Sequence, residues 1–177
     1  HLVERAGLFA DAEVAYEAAA AKADEKGLAG AARVMALGGL AESQLQQGKI
    51  ESAKQTAAKL EKAAPENPMA MMLRGQIAAA SGELEEARSL LAQVVHKMPG
   101  NPDALMLLSA VNFQQGQVDQ AESYLESVIA SDPQNARAQR MLIEVRTRQG
   151  ATAQDSLSGL QAALQQNPDN PTMLATA

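Results

Sequence analysis

The sequence has no cysteine and no tryptophan, and only two phenylalanines, two tyrosines and two histidines in 177 residues. Without cysteine there is no disulfide framework, no thiolate zinc site and no cysteine nucleophile. No apolar run approaches the ~20 residues needed to span a bilayer. Positive charge is also short: 15 Lys and Arg stand against 21 Asp and Glu, a net charge of -6. A general nucleic-acid binder needs a basic face to meet phosphates, so no nucleic-acid partner is expected. Of the histidines, His1 is terminal and His96 stands beside Lys97 with no second histidine near it, which argues against metal ligation. A glycine-rich phosphate loop, a serine nucleophile elbow and a His-Glu-x-x-His stretch are all missing. The expectation is a chain that is not an enzyme and carries no cofactor.

What is present is alanine, 37 residues of it, within a composition that is 46% hydrophobic and 20% charged. Such a chain is too apolar and too helix-prone for a disordered tail. It also repeats. Gly48, Gly82, Gly116 and Gly150 follow one another at a single constant interval. Ala53, Ala87 and Ala121 each stand at the same offset after their glycine, and Pro65, Pro99 and Pro133 at a second shared offset; Pro168 falls one place later after Gly150. Around the prolines the chain reads Pro65-Glu66-Asn67-Pro68, Pro99-Gly100-Asn101-Pro102, Pro133-Gln134-Asn135-Ala136 and Pro168-Asp169-Asn170-Pro171. Each motif stops one helix and starts another: proline cannot continue a helix, asparagine caps a new one, and proline suits the position after the cap. The repeated glycine marks the second break, expected in the left-handed conformation that closes a helix.

Two helices per period follow. The first of each pair is expected at 68–81, 102–115 and 136–149, the second at 50–64, 84–98, 118–132 and 153–167. Apolar residues recur at i, i+3, i+4 and i+7 in Ala104, Leu107, Leu108 and Val111, and again in Ala138, Met141, Leu142 and Val145. Leu84, Ala87, Leu91 and Val94 match Val118, Ala121, Leu125 and Val128. A small residue at 53, 87 and 121 would let paired helices approach closely.

This pattern resembles the tetratricopeptide repeat (TPR), a helix–turn–helix unit of about 34 residues with small residues at fixed places and a closing proline. The resemblance implies an all-α fold, a right-handed superhelix (α-solenoid) of antiparallel helix pairs. Its repeats would be 1–33 (partial, irregular), 34–67, 68–101, 102–135, 136–170 and 171–177 (partial). Two departures stand out. Met71, Leu105 and Gln139 occupy a place where the family often has Trp, and Gln44, Ala78, Asn112 and Arg146 occupy that of a later aromatic. Weaker aromatic packing is expected.

The first repeat is irregular. Gly7, Phe9, Ala12, Tyr16 and Ala19 match the second half of a repeat, which leaves only His1–Ala6 for its first helix. The interval from Gly7 to Gly48 exceeds the regular period by about two helical turns. Ala10–Lys26 reads as a longer helix broken at Gly27 or Gly30 and followed by a helix to Gln47; the alternative is a longer loop at Asp24–Gly30. With part of a repeat at each end, the chain is expected to be a piece of a longer array. Uncovered repeat faces at its ends would then favour a dimer produced by truncation.

In the family, the first helix of each pair lines a concave groove for a peptide or protein partner. Carried onto this sequence, the groove-facing positions include Met35 and Leu45, then Met69, Met72 and Gln76, then Met106 and Phe113, then Arg137, Arg140 and Arg148. One reading makes Met69, Met72, Met106 and Phe113 apolar anchors and the arginines a site for an acidic group, since Met suits adaptable surfaces and Arg suits carboxylates. The other has the methionines filling gaps between helices and the arginines merely solvated. The clamp by which some family members hold the C-terminal carboxylate of heat-shock proteins is not expected, because Leu73 and Leu107 stand where it takes Asn. The stretches 67–75, 121–125 and 136–142 further resemble long TPR lipoproteins that accompany exosortase sorting systems in Gram-negative bacteria. That resemblance implies a role in envelope sorting or exopolysaccharide assembly and a periplasmic or envelope setting; otherwise the setting would be cytoplasmic. The alternatives to a partner-binding scaffold are a structural spacer with an unused groove and an accessory subunit of an enzyme.

Overall fold

The computed structural model describes residues 2–25 and 30–150, together with Asp155 and Ser158. Among the described residues there are eight helices and no strand: α1 (Leu2–Glu25), α2 (Ala31–Gln46), α3 (Ile50–Ala63), α4 (Pro68–Ala80), α5 (Leu84–Lys97), α6 (Pro102–Gln114), α7 (Val118–Ser131) and α8 (Ala136–Arg148). The fold is an all-α helical repeat, and none of these helices is long and apolar enough to cross a membrane. The expected helix at 153–167 and the restart at Asn170-Pro171 lie outside the described residues.

The helix ends are set by the repeated motifs. The Asn67 side chain accepts from the Met69 and Ala70 amides at 2.9 and 3.4 Å, Asn101 from Ala104 at 2.9 Å and Asn135 from Ala138 at 3.0 Å. Each bond satisfies a first-turn amide that has no partner within the helix. At the other break Gly48, Gly82 and Gly116 take φ of 72°, 79° and 78°. Their left-handed turn lets the next residue fold back: Lys49, Glu83 and Gln117 donate to the Gln44, Ala78 and Asn112 carbonyls at 2.9, 2.9 and 2.8 Å. This is a Schellman closure three times over, and it reverses the chain so tightly that the paired helices run antiparallel.

The chain divides into two compact units, His1–Ala104 and Leu105–Ala177. In the first, α1 packs on α2, α2 on α3, α3 on α4 and α4 on α5, with α4 also beside α2. Its core is built largely from alanine: Ala36, Ala41, Ala53, Ala57 and Ala70 cluster with Leu37, Leu60, Leu73 and Ile77. Ala53 and Ala87 have no solvent exposure at all. The tightest approach is at Gly75, where a Cβ would stand 2.8 Å from Leu91 Cγ. In the second unit α7 packs on α8, and Ala121, Leu125, Val128 and Ala138 are fully buried. There Ser109, equivalent to Gly75, donates its hydroxyl to the Ala121 carbonyl at 2.8 Å and so ties α6 to α7. Leu107 and Met141, expected in the core stripe, are half-buried.

The N-terminal region departs from the expectation. Gly7 does not divide two helices; α1 runs unbroken for 24 residues through it. A glycine within a helix costs only about 1 kcal/mol against alanine, and the good helix formers flanking it carry the turn. Both helices of this pair are long, α2 having 16 residues against 13 or 14 in α3–α8. The extra length of α1 and α2 is thus helical, and the expected break at Gly27 lies outside the described residues.

Polar groups take over where aromatics were expected. Gln44 is buried and its carbonyl accepts from the Thr56 hydroxyl at 2.8 Å. Its amide reaches the Glu13 carboxylate, which also accepts from Gln47 at 2.8 Å and Lys49 at 2.6 Å. These bonds, the Lys49 one foremost, hold the Glu13 carboxyl below its ordinary value. Asn112 donates to the Leu108 carbonyl at 3.0 Å, and Arg146 pairs with Glu122 and Glu126 at 2.6 and 2.7 Å.

These contacts set the sign of two substitutions and of one pH effect. Gly75→Ala is expected to lower stability by about 1–3 kcal/mol through overpacking against the fully buried Leu91. Gly38→Ala, with nothing within 4 Å of the new methyl, should instead raise it by about 0.5–1 kcal/mol through helix propensity; urea denaturation of both variants checks the opposite signs. Because the folded carboxyl is lowered, Glu13 stabilises the joint above the ordinary value of 4.5, and that contribution is lost as pH falls below it. Glu13→Gln should be less stable than the parent chain at pH 6, and the difference should shrink towards zero near pH 3, measured by urea denaturation at each pH.

Candidate partner-binding face

The face expected from the sequence is carried by α2 and α4 in the first unit and by α6 and α8 in the second. Residues three, four and seven apart share one side of a helix, so each helix offers a strip of three to five positions. Register then decides which of them reach solvent. Met35 and Met69 are one repeat apart, at the same place in α2 and α4. They are among the most exposed large apolar side chains of the described residues, at 74% and 59%. Because α2 and α4 lie side by side, two flexible apolar groups sit in matching register on neighbouring helices. Leu45 is half-buried and packs against the core cluster; Gln76 is half-buried.

Three residues on from Met69, the helix has turned towards its neighbours. Met72 is 7% exposed, and Met106, its equivalent in the second unit, 4%. Both are buried among the helices and offer little surface, as in the second of the two readings given for them. One repeat beyond Met106 stands Arg140, and it is exposed, since a cation without a partner cannot be buried cheaply.

In the second unit the structure brings Phe113 and Arg148 together. The Arg148 guanidinium lies over the Phe113 ring, 4.9 Å from its centroid. The pair borders a cleft of about 270 Å³ between α6 and α8, with Ser109, Ala110, Gln114, Met141, Glu144 and Val145 around it. Arg137, Arg140 and Arg148 occupy one side of α8, interrupted by Glu144, and all four are exposed. Arg137 and Arg140 make no ion pair with any other described residue, whereas Arg146 on the opposite side is held by two glutamates. Spacing alone puts Phe113 and Arg148 on the face but not in contact, and puts Met141 in the core. The contact joins residues more than a full repeat apart, and no spacing rule foretells it.

A second cleft, of about 300 Å³, lies in the first unit among α3, α4 and α5. Its charges satisfy one another: Lys54 meets Glu83 at 2.9 Å, and Arg74 meets Glu61 at 2.6 Å and Glu86 at 3.8 Å. The Glu83 carboxylate raises the Lys54 ammonium above its ordinary value. These cross-helix pairs, invisible in the sequence, read as struts between repeats. No group of three or more His, Cys, Asp or Glu among the described residues is placed to hold a metal ion.

Two family models, both described as tetratricopeptide repeat, match residues 39–102 and 78–145, together more than half of the chain. No curated protein matches the sequence. Among solved structures, the chain is similar to the first TPR of Spaghetti (RPAP3) bound to the HSP90 peptide SRMEEVD, with TM-score 0.61 and 20% identity over 67% of this chain and 94% of that one. It is similar to the TPR domain of Sgt2 from Aspergillus fumigatus, with TM-score 0.62 and 18% identity over 68% and 81%. It is also similar to MamA from Desulfovibrio magneticus RS-1, with TM-score 0.65 and 17% identity over 90% and 98%. At these identities the likeness concerns the fold.

The Phe113–Arg148 contact has a measurable consequence. A double-mutant cycle of Phe113→Leu and Arg148→Ala, followed by urea denaturation, should give a coupling of about 0.5–1 kcal/mol, as for an exposed cation over a ring.

Proposed function

The chain belongs to the tetratricopeptide repeat family, and from that premise we propose that it is a non-catalytic scaffold whose first-of-pair helices hold a peptide or protein partner. The observation that carries this reading is the exposed pair Met35 and Met69, in matching register on adjacent helices. An unbranched thioether side chain adapts its shape to an apolar partner group. Leaving two such groups in water at equivalent sites is a cost that a binding role accounts for. In the first unit Leu45 and Gln76 are half-buried and Met72 is buried on the same helices; in the second unit Met106 is buried, and Phe113, Arg137, Arg140 and Arg148 form a separate candidate surface. A fold neighbour with a bound peptide supports the ligand class. Leu73 and Leu107, at positions the carboxylate clamp gives to Asn, argue against a heat-shock tail as the ligand.

For the setting we propose a bacterial envelope assembly of the exosortase-linked kind. This rests on the sequence stretches 67–75, 121–125 and 136–142 alone. Fractionation of the source cells should place the parent protein in the envelope; recovery in the cytosol contradicts the setting and leaves the binding role untouched.

The binding role has its own test. Both methionines are exposed, so Met35→Glu with Met69→Glu should shift stability by no more than about 0.5 kcal/mol per site. Affinity capture from an extract of the source cells should lose its co-purifying partner with the double variant while the melting curve stays in place. The same partner recovered in the same amount contradicts the reading.

A further inference from the structure

All four cations of residues 105–177 lie in the 13 residues of α8: Arg137, Arg140, Arg146 and Arg148. The chain as a whole is acidic, at net charge -6, so this concentration is a local reversal of sign. Arg146 is spent internally on Glu122 and Glu126. The other three project from the opposite side of the helix. Arg137 and Arg140 stand a single turn apart, and Arg148 is about 16 Å along the axis from Arg137 at ~1.5 Å per residue. Beside Arg148, with Arg137 and Arg140 next to it on the same side of α8, opens the cleft bordered by Phe113, Ala110, Met141, Glu144 and Val145, about 270 Å³ in volume. That is below the ~300–1,000 Å³ of pockets that enclose a small molecule, and it suits one bulky apolar side chain. Arg148 is already laid over the Phe113 ring, at the rim of a cleft that Glu144 also lines.

We infer that the α6–α8 face of the second unit takes an acidic peptide segment, with side-chain carboxylates on Arg137 and Arg140 and one bulky apolar residue in the cleft beside Phe113 and Arg148. The inference rests on the proposed binding role and names the chemistry of its partner. Guanidinium groups pair with carboxylates in two parallel hydrogen bonds, which gives both strength and orientation. Clusters of arginine are a recurrent means of reading acidic motifs. Because the cations come from the side chains of one helix, and Leu107 stands where a terminal-carboxylate clamp takes Asn, the carboxylates recognised are internal to the segment. Glu144, in the middle of the arginine face, disfavours a third carboxylate there and so restricts the register.

A random-peptide phage library panned on the full chain tests this, followed by fluorescence anisotropy with the enriched peptides made in free-acid and C-terminally amidated forms. Expected are peptides rich in Asp and Glu next to a Leu, Met or Phe, bound equally well in either form and more weakly as salt is raised. The double variant Arg137→Glu, Arg140→Glu should bind them at least about tenfold more weakly, and peptides with Lys in place of the acidic residues should bind that variant better than they bind the parent chain. Enriched peptides without acidic surplus, or unaffected by the double variant, overturn the inference and leave the peptide-binding role standing. Peptides that require a free C-terminus overturn it in favour of terminal recognition. No enrichment at all overturns both.

Discussion

The molecule depends on how closely the two helices of a pair approach. That approach is possible only where the facing positions carry almost no side chain, and Ala53, Ala87 and Ala121 are entirely without exposure. Gly75 and Ser109 meet them from the opposite helix, one offering bare backbone to Leu91 and the other a hydroxyl to the Ala121 carbonyl. The Schellman turn at each repeated glycine fixes the reversal that brings these faces together. With paired helices this close, a residue at a given place in one repeat has its environment largely reproduced one period later. The equal burial of Leu60, Val94 and Val128 illustrates it.

That same regularity makes the exceptions informative. At the position where the resemblance expects an aromatic, each repeat has its own solution: a buried amide bonded to Thr56 and Glu13, a bare methyl at Ala78, an asparagine bonded back to its own helix, an arginine held by two glutamates. Hydrogen bonds and ion pairs thus do locally what ring packing would otherwise do. The proposed binding face follows the same logic. Where the register exposes a side chain, α2 and α4 put methionine, α6 puts Asp103 and α8 puts Arg137; one register further round, Met72 and Met106 are buried and Arg140 stays in water.

Much of the fold was legible in the sequence because its determinants are local. The glycine at positive φ, the asparagine cap and the proline stop each act over a short stretch of chain, so α3–α8 end within about two residues of where the spacing puts them. The failure at Gly7 is also physical. That glycine looks like its repeated counterparts, but without the helix-stopping proline and the asparagine cap it is merely a weak helical residue. The candidate site was legible in register but not in depth. Spacing places Met69 and Met72 on one strip of α4, yet whether each side chain faces water depends on what neighbouring helices present, and periodicity does not contain that. The contact between Phe113 and Arg148, and the struts Lys54–Glu83 and Arg74–Glu61, join residues from different helices and were beyond reach for the same reason.

The central claim is that a partner docks on the first helices of the pairs and not on the second. Site-specific photo-crosslinking tests it most directly, with a photoreactive residue placed in turn at Met35, Met69 and Arg140 and, on exposed positions of the second helices, at Lys59, Gln93 and Ser127. Crosslinks to one partner are expected from the first three positions and none from the last three. Crosslinks to that partner from Lys59, Gln93 or Ser127, with none from Met35, Met69 or Arg140, would contradict it.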